Sequence, residues 1–82
     1  MRTRMYINAH PKVLKERART LINRILTTGD KHVALAKVVE VKVAIQTARA
    51  GQVAVAPANW DDDQKELMDV LADFHGVTFL AF

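Results

Sequence analysis

Eighty-two residues, half of them hydrophobic and none of them cysteine, form one domain over residues 1–82, with apolar content sufficient for a packed core. Such a composition excludes a disulfide scaffold and a disordered chain. The net charge of +3 conceals a division: residues 1–50 hold eleven Lys/Arg against three acids and residues 51–82 one Lys against six acids, so the two parts carry +8 and −5.

Residues 5–8 read as a short strand after a basic tip of Arg2 and Arg4. Pro11 suits the first turn of a helix. The spacing then predicts a helix over residues 11–28, with Val13, Leu14, Ala18, Leu21, Ile22, Ile25 and Leu26 on one apolar face. Opposite that face fall Lys12, Lys15, Arg19, Asn23 and Glu16, and Arg17 and Arg24 lie along one margin. Gly29 and Asp30 close this helix and cap the next, which implies an antiparallel helical hairpin.

Residues 31–50 send two signals. Residues 39–43 alternate as a strand does, while Ala34, Ala36, Ala44, Ala48 and Ala50 favour a helix between Asp30 and Gly51. We read a helix, apolar on two sides: one side for the first helix, the other for the sheet or a second subunit. Residues 52–56 are a strand ended by Pro57. Asp61 and Gln64 have the spacing of a capping box, and Asp62 and Asp63 suit the positive end of the third helix's dipole. That helix is expected to bury Leu67, Val70, Leu71 and Phe74, with Met68 at the edge and its acids exposed. His75 and Gly76 end it, and residues 77–82 form a last strand. The order β-α-α-β-α-β makes an α/β fold: a helical hairpin packed on a three-stranded sheet containing a parallel βαβ unit.

From Glu40 onward, the order helix, basic turn, strand, acidic turn, helix, strand is similar to the kink-turn RNA-binding ribosomal-protein family. The matching residues are Glu40, Val41, Ala44 and Ile45, then Ala50 to Ala56, then Asn59, Trp60 and Asp61, then Gly76 to Phe79. That family contacts RNA through an Asn before the Glu and a Lys shortly after it. Here those places hold Val39 and Val43, so the resemblance implies no site residue for this chain.

The chemistry of the side chains narrows the function further. The chain has no serine and no cysteine, six threonines and three glycines. It therefore lacks the usual nucleophiles and any Gly-rich phosphate loop. His10, His32 and His75 are far apart and do not have the spacing of a helical zinc motif. Asp61, Asp62 and Asp63 read as an acidic helix start before they read as a cation site. Neither an enzyme nor a cofactor is expected. A chain this short buries only about 60–65% of its unfolded surface, which favours self-association.

No stretch of the sequence has the roughly 18 apolar residues of a membrane span, and nothing reads as a signal peptide. The expectation is a cytoplasmic, homo-oligomeric regulatory or inhibitory protein-binding module with no membrane partner. Its anionic partner, an acidic protein or a nucleic acid, would bind at Lys12, Lys15, Arg17, Arg19 and Arg24. The alternative is an RNA- or DNA-binding protein that uses the basic helix 11–28. Capture of a small anion through Arg17, Arg24 or Arg49 at subunit interfaces is a third reading.

Overall fold

In a computed structural model, which describes residues 10–48 and 53–80, the chain opens with helix α1, Pro11–Leu26. His10 is its N-cap: the backbone is extended there and the imidazole Nδ1 accepts the Lys12 N–H at 3.1 Å. The helix stops two residues short of the expected end because two hydroxyls turn back on its last carbonyls. Thr27 Oγ1 donates to the Asn23 carbonyl at 2.9 Å and Thr28 Oγ1 to that of Arg24 at 2.7 Å. Gly29, at φ +72°, makes the turn that no β-carbon would tolerate without strain. Asp30 then caps helix α2, Lys31–Thr47, accepting the N–H groups of His32 and Val33 at 2.8 and 3.2 Å.

The ambiguous segment is thus helical as far as Thr47. The alternation of residues 39–43 does not survive as an alternation of exposure, for Glu40 and Lys42 are exposed as well. Val41 is fully buried, while Val39 and Val43 face outward, because two steps along a helix cross most of its circumference.

Strand β1, Val53–Val55, leads through Trp60 to helix α3, Asp62–His75, and then to strand β2, Thr78–Leu80. The expected capping box is present in both directions: Gln64 N–H donates to Asp61 Oδ1 at 2.9 Å and Asp61 N–H to Gln64 Oε1 at 3.2 Å. Gly76, at φ +72°, closes α3 in the left-handed conformation. β1 and β2 pair in parallel, with Val53 opposite Thr78 and Val55 opposite Leu80, as the βαβ reading requires.

The expected fold class does not hold. The described residues form three helices and a sheet of two three-residue parallel strands. The expected first strand, residues 5–8, lies outside them, as do Arg2, Arg4 and Arg49. Nor is the hairpin seated on a sheet. Both α1 and α2 pack on α3, and α3 in turn carries β2. Strands so short cannot cover two helices, and Val53 and Val55 are left exposed. Among the described helices α3 has the most buried residues, and both helices of the hairpin pack against it.

The core is made of Leu14, Leu21 and Ile25 from α1, Ala34, Val38 and Val41 from α2, and Leu67, Met68, Val70 and Ala72 from α3. Trp60, Val77 and Phe79 complete it, the two rings lying 6.5 Å apart between centroids. Trp60 is therefore a core residue. Four expectations are reversed: Val13 and Phe74 are exposed, Met68 is buried, and Asp69 is buried with only 2% of its surface accessible.

The burial makes two contrasting substitutions informative. Leu67→Ala removes a fully buried side chain and is expected to destabilise by about 2–5 kcal/mol. Phe74→Ala, at a half-exposed position, is expected to cost less than about 1 kcal/mol. Urea unfolding followed by far-ultraviolet circular dichroism measures both.

Candidate functional site

The five bases singled out on α1 do not stay together. Arg17 and Arg24 turn toward α3. Arg17 donates to Glu66 Oε2 from Nε at 2.6 Å and from Nη2 at 2.5 Å, with side chains 32% and 12% exposed. Arg24 Nη1 lies 3.3 Å from Asp63 Oδ1, in a more open setting. The two arginines are seven residues apart on α1 and the two acids three apart on α3, so each pair occupies a single helix face. These spacings are legible in the sequence. Only the antiparallel packing of α1 on α3 brings them together.

A third pair ties α2 to the start of α3: Lys37 Nζ lies 2.9 Å from Asp61 Oδ2. Asp61 is thus both helix cap and ion-pair partner. Burial pushes its carboxyl up, but the Gln64 N–H, the Lys37 ammonium and the Asp63 N–H outweigh that and hold it below the ordinary carboxylate range. Next to it, Gln64 is buried to 2% exposure and works on three sides. Beyond its place in the capping box, its Nε2 donates to the Lys37 carbonyl at 3.3 Å and to Glu40 Oε2 at 3.2 Å. Sequence reasoning identified Gln64 as a cap residue and missed its role in joining α3 to α2.

Lys12, Lys15 and Arg19 remain outward-facing at i, i+3 and i+7 and, among the described residues, form no ion pair. They make a basic stripe on the exposed side of α1. It has three positions where the sequence suggested five.

The other exposed feature is apolar. The buried side of α2 is Ala34, Val38 and Val41, and the opposite side carries Leu35, Val39 and Val43 at i, i+4 and i+8, exposed by 43%, 55% and 52%. Val33 is exposed beside them. A groove of about 370 Å³ runs from Val39 and Val43 to Pro57 and Trp60. One side of α2 has found its helix partners and the second side faces solvent. No described helix is long and apolar enough to cross a membrane.

No protein-family model matches the chain, and comparison with curated proteins and with solved structures finds no match either. The resemblance to the kink-turn-binding family gains no support from them, and the function must be argued from these surfaces alone.

The pairs and the cap give two predictions. In double-mutant cycles, Arg17→Met with Glu66→Gln is expected to yield a coupling energy of about 1–3 kcal/mol. Arg24→Met with Asp63→Asn, which removes the more exposed pair, is expected to yield less than about 1 kcal/mol. For Asp61, a carboxylate whose folded value is depressed adds stability that is complete above its unfolded pKa, near 4. That stability is lost as pH falls through the lower folded value. Asp61→Ala is therefore expected to destabilise by about 1 kcal/mol at neutral pH, and the gap between the two proteins narrows below pH 4 in thermal melts.

Proposed function

We propose that this protein is a small non-enzymatic regulatory or inhibitory module that works as a homo-oligomer through the outer face of α2 and presents the α1 stripe to an anionic protein partner. The observation that carries the reading is the line of Leu35, Val39 and Val43 along α2, a helix of 17 residues, about 25 Å long. Three large aliphatic side chains in one row, beside a groove that ends at Trp60, are an interaction surface rather than scattered exposed apolars.

A second copy of the chain is the occupant that the spacing favours. Leu35 and Val43 are each four residues from Val39, so an antiparallel pairing of two α2 helices about Val39 sets Leu35 of one copy against Val43 of the other. A two-fold interface requires that self-complementarity. Rows at i±4 interlock when helices cross at about −50°. A short chain with a limited core also gains stability from the added burial.

The anionic partner would meet Lys12, Lys15 and Arg19. The engagement of Arg17 and Arg24 by α3 lowers the charge available for a nucleic acid, whose affinity scales with the number of phosphates neutralised. It leaves a surface better suited to a few acidic side chains.

Light scattering after size exclusion tests the assembly. The wild-type chain is expected to be a dimer or larger at tens of micromolar, and Val39→Glu a monomer with unchanged helical content. A monomeric wild-type chain overturns the reading. A titration with labelled RNA and DNA at low and high salt tests the partner class. Salt-sensitive binding that Lys12→Glu with Arg19→Glu abolishes would move the function to nucleic acid.

A further inference from the structure

Where the three helices meet, the core does not close. A crevice of about 330 Å³ lies among α1, α2 and α3, walled by Ile22, Val38, Ile45, Leu67 and Leu71. Val38 and Leu67 are buried at its floor, while Ile22, Ile45 and Leu71 are only half-buried. The volume lies at the lower end of the range of small-molecule sites, roughly 300–1,000 Å³.

The mouth of the crevice is polar, and its charged group is a cation. Lys42, Gln46 and His75 line it, all three exposed, and no carboxylate does. Among the described residues Lys42 forms no ion pair. A second groove of about 260 Å³ adjoins the first, sharing Leu71 and His75 with it and adding Lys15 at its edge, again without an acid. An aliphatic floor beneath an ammonium, an imidazole and a carboxamide has two needs: an apolar body below and an anionic head above.

We propose that this crevice binds an aliphatic carboxylate of medium chain length, its hydrocarbon chain between Ile22, Ile45 and Leu71 and its carboxylate against Lys42 and His75. The ammonium supplies a charge-assisted hydrogen bond and Gln46 a neutral donor. One copy of the chain supplies every wall of the crevice. Val39→Gln, which breaks the apolar row without placing a charge beside Lys42 and is expected to be monomeric, serves as a background in which the two readings separate.

The test is a titration of the 15N-labelled full chain with hexanoate, octanoate and decanoate, repeated with octylammonium and 1-octanol, in wild type and in Val39→Gln. The expected result is saturable shifts of the Ile22, Lys42, Ile45, Leu71 and His75 amides with octanoate. Affinity should rise from hexanoate to octanoate by about fourfold per methylene. Lys42→Met is expected to weaken octanoate about tenfold and to leave 1-octanol unchanged. Ile45→Trp, which fills the crevice, should abolish binding of both, with the fold verified by the unshifted remainder of the spectrum.

Octylammonium or 1-octanol binding as tightly as octanoate would overturn the assignment of the head group. So would a Lys42→Met variant that binds octanoate like wild type. The absence of saturable shifts at these residues at millimolar octanoate would overturn the site itself.

Discussion

Helix α3 spans fourteen residues, of which Gln64, Leu67, Met68, Asp69, Val70 and Ala72 are buried. These six point in nearly every direction around the axis, so the helix must be enclosed rather than laid on a surface. Enclosing it is difficult because it is also the acidic helix. Asp63 and Glu66 lie along flanks that α1 covers, and a carboxylate taken out of water without a counter-charge is costly. Arg17 and Arg24 remove that cost where α1 passes. Apolar packing between two helices tolerates a slide by one turn more readily than a buried charge does. A slide of about 5.4 Å would leave Glu66, 12% exposed, without its cation. The ion pairs therefore set the register of α1 on α3, and apolar burial supplies most of the adhesion. The hairpin turn at Gly29 then carries α2 onto the remaining side.

The division of charge along the chain acquires a different meaning in this light. A part at +8 and a part at −5 suggest two exposed poles. In the folded molecule Arg17, Arg24 and Lys37 of the basic part meet Glu66, Asp63 and Asp61 of the acidic part. The opposite charges are brought together by the same packing that encloses α3. Among the described residues, the bases outside these pairs include Lys12, Lys15 and Arg19 on the outer side of α1 and Lys42 at the mouth of the crevice.

Local signals in the sequence were reliable wherever one residue type serves one local need. Pro11 at a helix start, Asp30 and Asp61 as caps, Gly29 and Gly76 at left-handed positions and the parallel strand pair were all readable. So was the helical nature of α2, because alanine content and caps outweighed the alternation of its valines. What could not be read is which element would sit at the centre. A hydrophobic pattern ranks faces of one helix but does not say how many neighbours that helix will have. Phe74 looked internal and Met68 marginal, and the reverse holds, because the surroundings of α3 wrap Met68 and end before Phe74. Asp69 fell on what a two-sided helix would expose, yet it is buried because α3 has no such side. His10 as an N-cap was invisible for another reason: imidazole seldom plays that part, and Ser, Thr, Asp and Asn lead the preference.

The two apolar features left at the surface differ in shape, and shape separates what they can bind. The outer side of α2 is a row of exposed side chains, open to solvent at Leu35 and bordering the groove to Pro57 and Trp60 at Val39 and Val43. Burying the whole row requires another extended surface such as a helix. The crevice at the helix junction is concave, with walls from three elements and a polar lip. Its volume of about 330 Å³ is on the scale of a short hydrocarbon chain rather than of a helix, whose diameter with side chains is about 10–12 Å. Lys42 and Gln46 belong to the same helix as Leu35, Val39 and Val43. Assembly and ligand capture on this chain would thus use different side chains of one helix, Leu35, Val39 and Val43 for the first and Lys42, Ile45 and Gln46 for the second.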